Sequence, residues 1–336
     1  MTRIKRIAAL AIAVLLLGGT LAACGQTSTV DMHNPEEVDY FSVEGDIIEL
    51  AWEMIPLTAA PPTNSVLTPT ASGTLVKKNQ KAEIDYSNTA DGYIMIKYLV
   101  NTTKKLKVRV TGPSGVNYDY NLKANSKFET FPLSDGSGKY SVGVFENIEG
   151  TKYSTVNSVQ FDVKLKDEFA PFLRPNQYVS FTADSAVVKK AAELVKDAKD
   201  FTGKVSAVYN FIISNFTYDK DFAAAVSRGE HTGYLPDVDA VLAKKKGICF
   251  DYAAVMTAML RSQNIPTRLV VGYAGTQYHA WIDVYSDSTG WVNNIIYFDG
   301  KVWKLMDPTF ASSANQSASV MQYIGDGKNY SARYLY

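Results

Sequence analysis

Pro171 and Pro175 separate two parts of the chain whose apolar residues follow different periods. Upstream, from about residue 73 to 166, apolar residues alternate with polar ones, as in strands that bury one face. Downstream, apolar residues first recur at helical spacing and later return to alternation. This change predicts two domains, a small antiparallel β-sandwich at 73–168 and an α+β domain at 178–336.

The alternating region is predicted to form several short strands joined by turns. Turn-forming residues cluster at 112–115 and 134–138, between segments that read as strands. Strands at this spacing favour an antiparallel sandwich of immunoglobulin-like size. It holds no cysteine pair or catalytic cluster, so we expect it to position the other domain or bind a partner, with a simple spacer as the alternative. The predicted strands are 93–99, 106–110, 139–145 and 159–163.

The first 23 residues are predicted to be a signal peptide. Three basic residues precede an apolar core at 7–17, which is too short for a comfortable transmembrane span. The core leads to Leu-Ala-Ala-Cys-Gly at 21–25, which resembles the bacterial lipobox. This resemblance implies that Cys24 becomes the first residue and carries diacylglycerol and a further acyl chain such as palmitate. We therefore expect a lipid anchor on the extracytoplasmic face of the cell membrane, with an ordinary cleaved signal peptide or an uncleaved anchor as alternatives.

The bulk composition is that of a globular protein. Hydrophobic residues make up 46% and charged residues 20% of the 336 residues. The 34 basic residues balance 34 acidic ones, and loss of the leader's three basic residues leaves 31 against 34, a net charge of −3. This balance gives no reason to expect a nucleic-acid partner. Residues 24–72 are predicted to be a lipidated cysteine and tether, linker-like at 27–29, while the more apolar segment 47–55 is a strand or a docking element.

Cys249 is the second of only two cysteines in the chain. If lipid consumes Cys24, then Cys249 has no disulfide partner. An unpaired thiol in an exported protein is either a small buried hydrophobic group or a group that does chemistry. The neighbouring residues decide between these two interpretations.

A buried helix is predicted to begin at or near Cys249, because apolar residues recur at helical spacing from there to Asn264 and Pro266, which end it. On a first helical turn, the helix dipole and unpaired N–H groups favour the thiolate. Gly247 is expected to leave room for a substrate backbone. Asp251 is expected to complement the helix dipole and to have no catalytic part.

Two later segments can supply the partners of a nucleophile. His279 begins a predicted strand, on the same face as Trp281 and Asp283. Asp307 follows another predicted strand, 301–305, at the point where Pro308 ends it. A cysteine on a helix N-terminus, then a histidine, then a carboxylate predicts a Cys-His-Asp triad in which His279 activates the thiol and Asp307 orients the imidazole.

These residues resemble those of the transglutaminase-like superfamily. The likeness covers roughly residues 180–315 and implies a papain-like α+β core with Cys249 as nucleophile, His279 as general base and acid, and Asp307 as the orienting carboxylate. The family often places an aromatic residue on the wall opposite the nucleophile, and Tyr218 is the best match, as an oxyanion or cleft residue or as a core tyrosine. The blocks that carry the likeness are Gly247-x-Cys249-x-Asp251-Tyr252-Ala253, Leu260-Arg261-Ser262-x-x-Ile265-Pro266-x-Arg268, Gly272-Tyr273, His279-Ala280-Trp281 and Asp307-Pro308-Thr309.

The leading hypothesis is a cysteine enzyme that transfers acyl groups from amide bonds of an extracytoplasmic protein or cell-wall peptide. Water as acceptor gives a protease or amidase, and a lysine amine gives a crosslink; we favour hydrolysis slightly, because crosslinking requires an acyl site shielded from water. The alternative is a non-catalytic binding or scaffold lipoprotein. No cofactor or metal is expected, because neither His33 nor His231 has spaced ligand partners and no dense carboxylate loop is present.

Overall fold

The structure is a computed structural model, which describes residues 29–31, 66–287, 290–292, 297–298, 303–304 and 330–336. Side chains are described for 66–287, 290–292 and 330–336. Within these ranges, strands come first, helices follow and strands then return, which is the order that the change in apolar period predicts. No helix within the described part of the chain has the length and apolar character needed to cross a membrane.

Two antiparallel sheets form the N-terminal half. One has five strands in the order β1-β9-β8-β5-β6, and the other has four in the order β2-β3-β4-β7. The strands that the alternation predicts are present, and the structure adds others. The strands are β1 Thr29–Asp31, β2 Val76–Lys78, β3 Ala82–Asp85, β4 Tyr93–Tyr98, β5 Leu106–Thr111, β6 Asn117–Asn121, β7 Glu129–Pro132, β8 Gly138–Glu149 and β9 Lys152–Val163.

Alternate residues of both sheets are buried in one common core. In β4, Ile94 and Ile96 are fully buried, and in β5 Val108 is fully buried as well. These side chains belong to the same hydrophobic cluster, which gives the paired sheets a shared interior. The arrangement has the strand content of the predicted sandwich, while its immunoglobulin-like character remains a prediction.

The segment Thr29–Asp31 is a strand, although Thr29 was included in a linker-like stretch by its composition. It pairs antiparallel with the start of β9, with Thr29 opposite Ser154 and Asp31 opposite Lys152. A polar strand of three residues shows no apolar alternation by which the sequence could reveal it. It pairs because the β8–β9 hairpin has a free edge along β9. The segment 47–55 lies outside the described residues.

In the described part of the C-terminal half, five α-helices precede a four-stranded antiparallel sheet. This sheet has the order β14-β13-β12-β17, and two two-stranded pairs, β10 with β11 and β15 with β16, accompany it. The elements are α1 Ala186–Val195, α2 Phe201–Asn215, β10 Thr217–Tyr218, α3 Lys220–Ser227, α4 Val238–Lys244, β11 Lys246–Gly247, α5 Cys249–Ser262, β12 Thr267–Ala274, β13 Gln277–Ser286, β14 Gly290–Val292, β15 Tyr297–Phe298, β16 Trp303–Lys304 and β17 Tyr330–Leu335.

The ends of α1 and α5 show how well local sequence determines helix boundaries. Helix α1 begins after Ser185, but the Ser185 hydroxyl accepts the backbone N–H of Thr182 rather than capping the helix. The carboxylate of Asp239 in α4 instead accepts from the N–H of Val187 at 3.0 Å. Helix α5 ends as predicted, with Asn264 in the left-handed region at φ 62°.

A cluster of tyrosines joins the two halves of the molecule. The ring of Tyr336 stacks on that of Tyr178 with centroids 4.0 Å apart, and both meet Tyr120 of β6 edge to face. Tyr178 in turn lies 5.5 Å from Phe250, ring centroid to ring centroid. The first sheet therefore reaches, through two rings, the residue next to Cys249.

The fold is expected to lose stability as the pH rises above about 10. Burial, followed by the nearby charge of Glu146, raises the pKa of Tyr98 to about 12, and burial also raises the pKa of Tyr120 and of Tyr336. An unfolded tyrosine loses its proton near pH 10, so the folded state holds more protons between pH 10 and 12 and its stability falls there. Urea unfolding at several pH values measures this slope, and Tyr98→Phe should reduce it. A stability that stays flat up to pH 12 would contradict the expectation.

Candidate active site

Cys249 is the first residue of helix α5. Ile248 before it is extended, at φ −99° and ψ 180°, and its carbonyl accepts the N–H of Tyr252 at 3.1 Å. The thiol is partly buried against the core. The sequence therefore predicted the position of Cys249 on the first helical turn, where backbone N–H groups without intrahelical partners point toward incoming negative charge.

The turn before Cys249 is held by the carboxylate of Asp251, which is 1% exposed. One oxygen accepts the backbone N–H of Ile248 at 2.8 Å, and the other accepts the hydroxyl of Tyr234 at 2.6 Å. Burial raises the pKa of Asp251, and these two hydrogen bonds oppose that rise. Asp251 therefore fixes the geometry of the turn that leads into Cys249.

The structure explains the glycine at position 247 by the packing of Asp251, whereas the sequence led us to expect room for a substrate backbone. A Cβ atom built on it would lie 2.6 Å from the Cβ of Asp251 and 2.7 Å from a carboxylate oxygen of the same residue. The space beside Gly247 is occupied by Asp251, so it is not open to a substrate backbone. The glycine allows the carboxylate to reach Ile248.

Tyr234→Phe is expected to destabilise the folded protein by about 1–2 kcal/mol, because the buried carboxylate of Asp251 loses one of its two donors. Tyr234 lies on the loop between α3 and α4, so its hydroxyl also attaches this loop to α5. Urea unfolding measures the change. Tyr86→Phe, in a ring that stacks on Phe161, is a matched control expected to cost less than about 0.5 kcal/mol. Equal midpoints for the two variants would contradict the role given to Tyr234.

Tyr218 lies beside the segment that leads into Cys249. Strand β10 pairs in parallel with β11, with Tyr218 opposite Gly247. The N–H of Asp219 donates to the carbonyl of Gly247 at 2.9 Å, and the Asp219 carboxylate forms a 3.1 Å ion pair with Lys246. The Tyr218 side chain is partly buried, with its ring 6.5 Å from that of Tyr252. Its location fits a residue of the site wall, and its role as an oxyanion donor remains a prediction.

His279 lies on β13, opposite Gly272 of β12. The imidazole is 4% exposed, and its centroid lies 6.3 Å from the ring of Trp281 and 6.4 Å from that of Tyr330. Residues of β13 that face the other way, Ala280, Ile282 and Val284, belong to the core cluster that also contains the buried residues of α5. The helix that begins with Cys249 and the strand that carries His279 are therefore packed in one core.

Gly272 allows β17 to lie close to β12 beside His279. A Cβ atom on Gly272 would overlap the carbonyl oxygen of Ser331 and would lie 2.8 Å from the indole of Trp281. The register between β12 and β17 also shifts between Val271 and Gly272. Sequence reasoning did not identify β17, so it missed Tyr330, which packs against the imidazole through a pairing distant in the chain.

Asp307 and Cys24 lie outside the described residues, so the third member of the triad and the lipidation site remain predictions. Strand β16, Trp303–Lys304, ends shortly before Asp307 and pairs antiparallel with β15. Of the predicted site residues, the structure places Cys249, His279 and Tyr218 on elements of one domain.

Comparison with known proteins gives a family match for part of the C-terminal half. Residues 188–294 match the family model described as the transglutaminase-like superfamily, a range that includes Cys249 and His279 and ends before Asp307. The chain is similar to this family over about a third of its length.

A curated relative, the uncharacterised protein YebA of Bacillus subtilis, is 30% identical over 122 residues. That alignment covers 30% of this chain and 16% of the relative, so the likeness spans a small part of the relative's length. Among solved structures, a candidate cysteine protease from Cytophaga hutchinsonii has a TM-score of 0.36 at 16% identity, covering 73% of this chain and 83% of its own. Red sea bream transglutaminase has a TM-score of 0.25 at 14% identity, covering 65% and 48% respectively.

Proposed function

We propose that this protein is a membrane-anchored extracytoplasmic cysteine enzyme that transfers acyl groups from amide bonds, built on the transglutaminase-like domain at 188–294. The observation that carries the proposal is that Cys249 is the first residue of α5. This helix shares a core with β13, the strand that holds His279. A thiol at a helix N-terminus has N–H groups and the helix dipole to stabilise negative charge.

In the proposed reaction, His279 takes the proton of the Cys249 thiol, and the sulfur attacks the carbonyl carbon of an amide. The oxygen of the tetrahedral intermediate is stabilised by the backbone N–H of Cys249 and by Tyr218 from the neighbouring strand. The C–N bond then breaks, the amine leaves with the proton that His279 returns, and a thioester remains on Cys249. Asp307 holds the imidazole in the orientation that this exchange requires.

The acceptor of the acyl group decides the biological outcome. Water releases a carboxylic acid and completes a hydrolysis, whereas a lysine amine forms a new amide and a crosslink. We favour hydrolysis, because water has access to any thioester that the protein does not shield. The substrate is proposed to be an extracytoplasmic protein or a cell-wall peptide, and the chemistry requires no cofactor.

Anchoring through a lipid on Cys24 is part of the same proposal, and it rests on the sequence around that residue. Mass spectrometry of the N-terminal peptide from membrane-extracted protein tests it directly. A peptide that begins at Cys24 with added acyl mass is expected, and an unmodified or uncleaved N-terminus would refute the anchor without touching the chemistry at Cys249.

The processed chain carrying Cys24→Ser, incubated with a glutamine peptide and an isotope-labelled amine, tests the acyl transfer. Mass spectrometry separates the outcomes, since amine incorporation indicates crosslinking, conversion of glutamine to glutamate indicates amidase activity, and shortened peptides indicate proteolysis. Products that also form with Cys249→Ala would place the chemistry elsewhere. The absence of any product across protein and cell-wall peptides would favour a non-catalytic binding protein.

A further inference from the structure

The end of the two β-sheets that lies near the β8–β9 hairpin and β1 carries a group of exposed lysines, here called the basic edge. Its members lie on β2, the turn after it, the loop before β5 and the start of β9: Lys77, Lys78, Lys81, Lys104, Lys105 and Lys152. They form a local group of basic residues in a chain that has 34 basic and 34 acidic residues in all.

Hydrogen bonds at two neighbouring residues of β8 bring most of these lysines together. The carboxylate of Glu146 contacts Lys81 at 2.6 Å and Lys104 at 3.5 Å. The N–H of Asn147 donates to the carbonyl of Lys105, and its side-chain amide donates to the carbonyl of Lys152. Lys77 joins the group through its carbonyl, which accepts the side-chain amide of Asn157 on β9 at 3.0 Å.

The charge at this edge is positive after its ion pairs are counted. Three glutamates accompany the six lysines, and two of them, Glu83 and Glu146, already pair with lysines. The third, Glu149, is exposed at the hairpin turn. Asp31, which pairs with Lys152 in the sheet, is a fourth acidic residue, so the local excess is two positive charges. Beside it, Ile148 is 54% exposed, an apolar side chain presented at the tip of the hairpin.

The chain enters the fold at the same place. Thr29 pairs with Ser154, and Ser154 pairs on its other side with Glu146, the residue that gathers Lys81 and Lys104. Thr29 is the fifth residue after Cys24, so a lipidated Cys24 would hold Thr29 within about 18 Å of the bilayer surface. The tether that follows Asp31 therefore does not lengthen the distance between the basic edge and the membrane.

We propose that the basic edge is a docking surface for anionic phospholipid, which orients the anchored protein on its membrane. Lysines near an anionic leaflet are attracted to it, and a lipid chain plus a basic surface holds a protein more firmly than either one.

That the basic edge lies near the membrane rests on the proposed lipid anchor at Cys24. The vesicle-binding test does not depend on that anchor. The processed chain with Cys24→Ser carries no lipid, so its binding to vesicles reports the basic edge alone, and lipidation is measured separately on the native N-terminus. We expect this chain to sediment with vesicles of phosphatidylcholine and phosphatidylglycerol at 7:3, and at least about 10-fold less with phosphatidylcholine alone. High salt should abolish the difference.

K77E/K105E/K152E should weaken binding to the anionic vesicles by about 100-fold or more, because each lysine near the leaflet contributes roughly fivefold. K189E/K196E/K199E, which changes exposed lysines around α1 by the same total charge, is the matched control and should stay within about threefold of the parent. Circular dichroism checks that both remain folded.

Equal loss of vesicle binding in the two variants would show that only net charge matters. Equal binding to vesicles with and without phosphatidylglycerol would show that anionic phospholipid is not the ligand. Either result overturns the proposal. Soluble polyphosphate is the third arm. If it binds as tightly as vesicles at equal phosphate concentration, the basic edge serves an anionic polymer rather than a membrane.

Discussion

Replacing Cys249 with alanine is expected to abolish acyl transfer, with a loss of at least about 10⁴-fold in kcat, since removal of the nucleophile of a catalytic triad costs as much as about 10⁶-fold. The physical reason is that no other group in the proposed site can form the thioester. The glutamine-peptide assay measures the loss. Because the thiol is only partly buried, the variant should unfold within about 1 kcal/mol of the parent, which separates lost chemistry from lost fold.

The reactivity of the thiol gives an independent measure of the same site. In the processed chain with Cys24→Ser, Cys249 is the sole cysteine, so iodoacetamide reports on it directly. Alkylation of the folded protein near neutral pH is expected to be faster than that of the urea-unfolded protein. In His279→Gln, alkylation is expected to be slower than in the parent. A rate no higher than that of the unfolded chain would contradict the activated nucleophile, even if some activity were found.

Arg261 is expected to matter most for stability. Its side chain, 2% exposed, donates to three backbone carbonyls, those of Thr267 at 2.9 Å, Arg174 at 2.7 Å and Tyr336 at 2.6 Å. These belong to β12, to the segment that connects the two halves, and to the residue after β17. Burial lowers the pKa of Arg261 to about 9, so the guanidinium is still charged at neutral pH.

Arg261→Met should lower the free energy of unfolding by about 3–5 kcal/mol, because methionine fills much of the volume but removes three hydrogen bonds to backbone oxygens, of which that of Tyr336 keeps the N–H of Leu269 as a donor. Urea unfolding followed by tyrosine and tryptophan fluorescence measures the change. Arg333→Met is the matched control, since Arg333 is exposed, donates to the hydroxyl of Tyr273 at 3.4 Å and lies 5.9 Å from two tyrosine rings, and it should cost less than about 0.5 kcal/mol. A loss below about 1 kcal/mol for Arg261→Met would show that water replaces the guanidinium.

Elements with a regular apolar period could be predicted from the sequence. Alternation located β4 and β5, and helical spacing with Asn264 as a left-handed stop located α5 from its first residue to its end. Strand β6 was missed because its buried positions are Tyr118 and Tyr120 between asparagine and aspartate residues, which are typical of turns. Strand β17 was missed because its partner lies far away in the sequence.

The same distinction applies to the candidate site. The place of Cys249 on a helical turn follows from neighbouring residues, so local pattern was sufficient. The bond between Tyr234 and Asp251 joins residues seventeen positions apart across a loop, and no periodicity reports such a contact. Gly247 was assigned to substrate access for the same reason, since the side chain that occupies its space is visible only after the turn is folded.

The long separation in sequence between β17 and its partner β12 has a consequence for how the molecule avoids self-association. Leu335 pairs with Val270, which lies far upstream, so β12 is made long before its outer partner is available. Until then, β12 presents a free row of backbone donors and acceptors, and most of its side chains are apolar, an arrangement that favours pairing with another chain. By pairing with β12, strand β17 covers this edge.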